Sequence, residues 1–185
     1  VFDDSRAYRR AAAWYHSHFP WPHRLGPGSL TLEATPDYLY YPSAAQRIME
    51  YDPAMRLIVL LRNPVVRAFS AWQMYRDYGT YRPWIYSAKR EVRGFDVAVQ
   101  EEIEGIRANE RADGRGYVRR GLYYDQLLPY FDRFDRNRIC ILDSEKLKSD
   151  TSAVVDQIVR FLDLPRYGSQ GAWNRFHVGA YRSEI

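Results

Sequence analysis

The stretch RLIVLLRNPVVRAFSAW, residues 56–72, decides the fold class of this chain. Its first part, residues 56–61, is rich in branched apolar side chains and is bounded by the turn signal Asn63-Pro64, which predicts a strand buried on both faces. From Val65 onward the apolar residues recur at helical spacing. A buried strand that runs directly into a helix is typical of a parallel sheet in an α/β protein.

The turn after this strand is chemically suited to bind an anion. Arg62 leaves the strand at its carboxyl end, where open α/β sheets bind ligands, and Ser70 lies a few residues into the helix. Exposed backbone N–H groups and the helix dipole would also favour an anion there. We therefore expect both side chains to converge on a phosphate. The alternatives are a surface salt bridge for Arg62 and a Ser70 hydroxyl bonded to its own helix.

The rest of the chain alternates helical and extended patterns, which predicts βαβ units within one domain. The segment between Gly79 and Arg93 has no clear period and predicts a long, functional loop. Further strands are predicted at 29–33 and 138–142, and helices at 5–18, 42–51, 95–107, 123–134 and 152–162.

Composition narrows the class and the compartment of the protein. With 185 residues and 46% apolar residues, the chain has the size and make-up of one globular domain. The longest apolar run, 57–61, is far shorter than the roughly 20 residues of a membrane span, so no span is predicted. A single cysteine, Cys140, favours a cytoplasmic location. Arginine supplies most of the positive charge, which suits bidentate contacts with phosphate or sulfate. No metal site is predicted.

The strand, Arg62, Pro64 and the following Arg and Ser resemble the segment by which one enzyme family binds its cofactor. That family is the sulfotransferases that use 3′-phosphoadenosine 5′-phosphosulfate (PAPS), and the segment holds the 3′-phosphate. The resemblance implies a P-loop-type three-layer sandwich, the sulfotransferase fold, with a central parallel sheet flanked by helices.

Other segments resemble the heparan-sulfate-type and related bacterial sulfotransferases in particular. Residues 32–38 are similar to their Glu-Lys-(Ser/Thr)-Pro-x-Tyr loop, and residues 120–123, Arg-Gly-Leu-Tyr, match a later motif. Further matches lie at 1–3, 13–15, 19–20, 126–127, 141–147, 161–165 and 176–181. The likeness covers nearly the whole chain.

The resemblance implies roles for individual residues. Asp3 matches an active-site Asp of the 3-O-type members, with an N-cap of the helix at Ser5 as the alternative. His16 and His18 flank the position where N-sulfotransferase relatives carry a Glu and could substitute for it as the base, since an unperturbed histidine titrates near neutral pH; the alternative for each is a partly exposed histidine at a helix end. The implied catalytic residues are Asp3, His16 and His18, the cofactor-binding residues Arg62, Ser70, Arg120, Gly121, Tyr123 and His177, and the acceptor-binding residues Glu33 and Tyr38. Glu33 has the alternative role of holding its own loop by hydrogen bonds.

Three departures from the family pattern qualify this interpretation. The Lys- and Gly-Thr-Thr-containing loop that cradles the 5′-phosphosulfate would precede Val1, and a helix would follow Ile185. We therefore expect residues 1–185 to be one sulfotransferase domain that is incomplete at both ends and inactive alone. Ala34 replaces a lysine that touches the acceptor sugar in heparan-modifying members. His177 stands near the position of the family's lysine in the C-terminal loop.

The expected activity is transfer of a sulfuryl group from PAPS, leaving 3′-phosphoadenosine 5′-phosphate (PAP), to a hydroxyl or amine. The acceptor is expected to be a saccharide or a small metabolite. Two alternatives stay open: a kinase-like P-loop transferase, and a non-enzymatic domain that binds a polyanion. The sequence contains no recognised nucleic-acid module, so no nucleic-acid partner is predicted.

Overall fold

A computed structural model describes residues 1–21, 24, 26, 28–81, 90–110 and 114–165 of the chain. The chain divides into two compact units, one formed by Val1–Leu57 with Tyr124–Ile139 and the other by Ile58–Tyr123 with Cys140–Ile185. His177 and part of the predicted long loop lie outside the described residues. The single-domain organisation stays a prediction.

The elements follow one another in the order that the α/β pattern predicts. They are α1 (Ser5–Tyr8), α2 (Ala11–His16), α3 (Pro42–Tyr51), β1 (Leu57–Leu61), α4 (Pro64–Tyr81), α5 (Phe95–Arg107), α6 (Tyr123–Phe131), β2 (Ile139–Asp143), α7 (Ser144–Ser149) and α8 (Thr151–Phe161), with 3₁₀ turns at Pro36–Tyr38, Arg119–Gly121 and Arg136–Arg138. β1 and β2 are neighbours in a parallel sheet, so the predicted α/β fold with helices flanking a parallel sheet is confirmed.

The first unit is built around aromatic rings. Phe2 is 2% exposed, and its ring packs edge-on against Tyr15 at 5.3 Å and Tyr38 at 5.6 Å between centroids. Such edge-to-face pairs are the arrangement that the ring quadrupoles favour. The buried residues of this core are Phe2, Tyr15, Ala44, Ala45, Ile48, Tyr130 and Phe134.

The second unit has two apolar clusters. Ile58 of β1 packs with Cys140 and Leu142 of β2 against α7 and α8. A separate cluster joins α4 and α5 through Ala68, Trp72, Ala98 and Tyr117. Among the described residues, no helix combines the length and the apolar character that crossing a membrane requires.

Several boundaries differ from the sequence-based expectation. The predicted strand at 29–33 is irregular, because Leu30 and Leu32 stay 53% and 71% exposed and no described strand pairs with it. The predicted helix 5–18 breaks into α1 and α2, since α1 already ends at Tyr8. α4 continues past the predicted break at Gly79, which a helix tolerates at a cost of about 1 kcal/mol.

The prediction that β1 is buried on both faces is wrong for the part of the chain described. Leu60 of β1 remains 48% exposed, and Ile141 of β2 remains 40% exposed. The described helices α7 and α8 reach Ile58 and the buried side chains of β2 but not these two residues.

A buried carboxylate organises the second unit. Glu91 is 1% exposed and accepts hydrogen bonds from Arg93 Nε at 2.8 Å, Arg93 Nη2 at 2.7 Å and Tyr117 Oη at 2.9 Å. Arg115 lies 3.5 Å away as a second cation. The hydrogen bonds from Arg93 lower the pKa of Glu91 to about 2, against the opposing effect of burial.

We expect Glu91→Gln to destabilise the protein by about 2–4 kcal/mol near neutral pH, because two part-buried guanidinium groups lose a buried counter-charge, although Arg93 keeps Glu101. The pKa of Glu91 is lower in the folded than in the unfolded chain, so its stabilisation is present above the ordinary carboxyl pKa and is lost as pH falls toward about 2. The difference in the free energy of unfolding between wild type and variant should therefore decrease as the pH falls. Urea unfolding across this pH range measures it.

Glu104→Gln, on the exposed side of α5, is the control and should change stability by less than about 0.5 kcal/mol. An equal destabilisation by Glu91→Gln at every pH would contradict the ionised, paired state of Glu91.

Candidate anion site at the carboxyl end of β1

The start of α4 is closed by an asparagine cap. Asn63 Oδ1 accepts from the N–H groups of Val65 at 3.0 Å and Val66 at 3.2 Å, and the Asn63 carbonyl accepts from Arg67 N at 2.9 Å. Pro64 has no N–H to offer. The expectation of exposed backbone N–H groups is therefore wrong here, and hydrogen bonding to an anion falls to side chains.

Arg62 emerges from β1 with unused hydrogen-bonding capacity. Its Nε is buried and has no hydrogen-bond partner, and the guanidinium forms no ion pair with any residue that the structure describes. The predicted alternative of a surface salt bridge is therefore absent from the described residues. A buried donor without a partner costs free energy, so a guanidinium in this state fits a site that an anion completes.

Ser70 is the second predicted ligand. Its side chain is half-buried, and its hydroxyl makes no hydrogen bond within the described part of the chain, including to its own helix. The alternative of a back-bonded helix serine is thus not observed. The hydroxyl keeps both its donor and its acceptor capacity for a ligand.

Residues 116–121, which we call the arginine turn, pack against the first turns of α4. A Cβ on Gly121 would lie 2.9 Å from Pro64 Cβ, so only glycine allows this close approach. Just after the turn, Tyr123 Oη donates to the carbonyl of Arg62 at 3.0 Å. The structure thus brings Gly121 and Tyr123 to the backbone that carries Arg62.

Two charged side chains fix the backbone of the arginine turn. Arg67 Nη2 donates to the carbonyl of Gly116 at 3.1 Å and to that of Tyr117. Glu102 of α5 accepts from the N–H groups of Val118 and Arg119, each at 3.0 Å. Consecutive peptide groups of the turn are therefore satisfied from α4 on one side and α5 on the other.

Positive charge is concentrated around this turn. Burial lowers the pKa of Arg67, and repulsion from Arg120 lowers it further. Like charges held close together in a partly desolvated place repel, so an anion near Arg120 would relieve part of this cost. The electrostatics agree with the predicted role of Arg120 at a phosphate.

The predicted acceptor residues Glu33 and Tyr38 lie in the first unit and are bonded to each other. Glu33 also accepts from Tyr15 Oη at 2.6 Å and from Thr35 Oγ1 at 2.9 Å. Burial, followed by the hydrogen bond to Glu33, raises the pKa values of Tyr15 and Tyr38. These contacts match the alternative in which Glu33 holds its own loop, and acceptor binding by either residue stays a prediction.

Asp3, His16 and His18 are placed in the same unit. The N-cap of α1 is Asp4, whose carboxylate accepts from Arg6 N and Ala7 N, so the capping alternative for Asp3 is excluded. Arg47 binds the segment around Asp3 by donating to the carbonyl of Phe2 at 2.8 Å.

Both histidines are exposed. His16 Nε2 lies 2.5 Å from Tyr51 Oη. His18 Nδ1 lies 2.8 Å from the carbonyl of Trp14, and because a carbonyl only accepts, this nitrogen carries the proton. In the neutral ring Nε2 of His18 therefore keeps its lone pair. The catalytic roles of Asp3, His16 and His18 stay predictions.

Two residues of this arrangement, Arg67 and Glu102, were not among the predicted site residues. Arg67 lies one helical turn before Ser70, so the spacing of three placed both on one face of α4. This spacing, together with the place of Arg67 in the segment that resembles the family's 3′-phosphate segment, was the available signal. Glu102 gave none, because its two acceptor contacts are made to a turn far along the chain.

Comparison with known proteins agrees with this geometry. Residues 41–174, which include Arg62, Ser70 and the arginine turn, match the sulfotransferase domain family. The chain belongs to that family. The crystal structure of a sulfotransferase from Alicyclobacillus acidocaldarius aligns with this sulfotransferase domain at a TM-score of 0.64 and 29% identity, over 84% of this chain and 57% of the other.

The domain is also similar to larger curated proteins. It is 31% identical over 161 residues to heparan sulfate glucosamine 3-O-sulfotransferase 6 of Homo sapiens, which covers 87% of this chain and 42% of the relative. It is 23% identical over 167 residues to bifunctional heparan sulfate N-deacetylase/N-sulfotransferase 1 of Caenorhabditis briggsae, covering 90% and 18%. The chain thus spans less than half the length of these relatives, and the predicted family is confirmed.

We expect Gly121→Ala to destabilise the domain by about 1–3 kcal/mol, because the added methyl group would force the arginine turn away from Pro64. The same shift should weaken the hydrogen bond from Tyr123 to the Arg62 carbonyl. Thermal unfolding measures the change. Gly26→Ala is the matched control, since its nearest neighbour would lie 3.8 Å from the new Cβ. Equal melting temperatures for the two variants would contradict the tight contact.

Proposed function

We propose that this domain transfers a sulfuryl group from PAPS to a hydroxyl or amine of an acceptor. The observation that carries the proposal is Arg62 at the carboxyl end of β1 of a matched sulfotransferase domain, whose guanidinium bonds none of the described residues. Family membership favours sulfuryl transfer over the kinase-like alternative. Family membership, but not Arg62 itself, also speaks against a domain that only binds polyanions.

The residues present fit the 3′-phosphate of PAPS. Arg62 would donate through its unbonded guanidinium, Ser70 through its hydroxyl, and Arg120 would add positive charge. Gly121 and Tyr123 would hold the backbone in place rather than the ligand. PAPS supplies the activated sulfuryl group when it is bound. The residues of this chain position the nucleotide and neutralise its charge, which is the main demand of such group transfers.

The proposed acceptor is a saccharide or a small metabolite. The names of the relatives refer to heparan sulfate, which supports a saccharide. Ala34, which replaces the family's sugar-contacting lysine, argues against a strongly acidic glycosaminoglycan. Incubating the full-length protein with radiolabelled PAPS and a panel of neutral and acidic saccharides and small alcohols or amines tests this. Absence of label transfer together with transfer from ATP would overturn the proposal in favour of a kinase.

The cytoplasmic location is a further proposal. It rests on Cys140, which is the only cysteine of the sequence and is buried as a free thiol. Fractionation of cells that express the tagged protein tests it.

Arg62→Ala should weaken binding of PAP by about 10-fold to 150-fold, since hydrogen bonds from a charged donor to a phosphate are lost. Arg62→Lys should restore only part of the PAP affinity, because lysine lacks the planar guanidinium that can donate two hydrogen bonds to one phosphate. Ser70→Ala should weaken PAP binding less than Arg62→Ala does, because the hydroxyl is a neutral donor. Calorimetric titration with PAP and with adenosine 5′-phosphosulfate, which lacks the 3′-phosphate, separates this effect from a general loss.

Arg160→Ala, on the exposed side of α8, removes the same charge elsewhere and should leave PAP binding unchanged. Neither site variant should shift stability by more than about 0.5 kcal/mol. If Arg62→Ala weakens both nucleotides equally, or neither of them, Arg62 is not the 3′-phosphate ligand.

A further inference from the structure

The arginine turn is held in place by side chains that are themselves charged. Arg67 of α4 donates to two successive carbonyls, those of Gly116 and Tyr117, and Glu102 of α5 accepts from the next two N–H groups. Gly116 itself has a φ of +65°, a left-handed conformation that other residues rarely adopt. Glycine adopts this conformation without strain but also many others, so contacts from surrounding residues are what select it here.

Arg67 and Glu102 act on the same short segment from opposite directions. The terminal nitrogen of Arg67 is used for the carbonyls of the turn, whereas the guanidinium of Arg62 makes no hydrogen bond to any described residue. Each carboxylate oxygen of Glu102 serves a different N–H group. Arg67 and Glu102 thus both hold the backbone of the arginine turn in its observed conformation.

We propose that Arg67 and Glu102 are positioning residues that set the arginine turn for recognition of the 3′-phosphate. This inference rests on the proposed function. The turn carries Arg120 and, through Gly121, rests on the start of α4 next to Arg62. Holding its peptide groups in advance reduces the ordering that binding would otherwise require.

The side-chain chemistry makes conservative substitutions informative. Lysine at position 67 keeps the charge, but its side chain is shorter, so its ammonium reaches less far than the Nη2 of Arg67, which donates to both carbonyls. Glutamine at position 102 offers one acceptor oxygen and turns an NH₂ group toward the second N–H. If Arg67 acted only through its charge, Arg67→Lys would behave as wild type.

The experiment measures the preference of the protein for PAP over adenosine 5′-monophosphate, two ligands that differ only in the 3′-phosphate. We expect Arg67→Lys and Glu102→Gln each to lower this preference by about 10-fold, and the double variant to lower it little further, because both changes release one turn. A residue with a merely structural role would shift both affinities together. Partial unfolding likewise reduces both by one factor, so the ratio reports on the folded protein.

Glu104→Gln, two residues along the same helix, is the matched control and should keep the wild-type preference. Wild-type preference in either single variant, or losses that add fully in the double variant, would overturn the inference while leaving the proposed function intact. A wild-type protein that binds both nucleotides equally would overturn the proposed function, and the inference with it.

Discussion

The contact between Gly121 and Pro64 is the constraint on which the candidate site depends. It fixes the distance between the arginine turn and the first turn of α4. Any residue with a Cβ atom at position 121 would clash with Pro64. Pro64 also lacks a backbone N–H group. The turn that covers it therefore does not have to supply a hydrogen-bond acceptor at this position. A glycine facing a proline therefore permits a close backbone approach beside a cluster of cations. Tyr123 then lies near enough to bond the Arg62 carbonyl.

Concentrating arginines around one turn is unfavourable unless acceptors compensate. The second unit supplies two buried or half-buried carboxylates, Glu91 and Glu102, and each is bonded to more than one donor. Glu91 neutralises Arg93 and Arg115 directly, whereas Glu102 accepts hydrogen bonds from backbone N–H groups of the turn. Arg120 in turn repels Arg67, so an anion bound beside them would be stabilised by both charges.

Much of the fold could be predicted from residues 56–72, because the periodicity of apolar side chains distinguishes a buried strand from the helix that follows it. The helices at 42–51 and 95–107 were predicted with their observed bounds for the same reason. The strand predicted at 29–33 failed because strand formation depends on a partner, and alternation of Leu30 and Leu32 with polar residues carries no information about one. The cap of α4 by Asn63 was also not predicted from the sequence. The Asn63 side chain accepts hydrogen bonds from the same backbone N–H groups that an anion at the helix start would need.

An abundance of arginine could not separate ligand-binding from structural residues, because the planar guanidinium serves both uses. Arg67 bridges two carbonyls through Nη2, and Arg93 bridges Glu91 and Glu101, so both guanidinium groups donate to acceptors within the protein, although the Nε of Arg67 has no partner. Arg62 has the same chemistry and a similar degree of burial, yet it donates to none of the described residues. Donation by the guanidinium to protein acceptors, rather than charge or position in a motif, is therefore the property that distinguishes Arg62 from Arg67 and Arg93. That property depends on contacts between residues far apart in the chain, which is why the motif identified Arg62 as a candidate but only the folded structure separated it from the arginines around it.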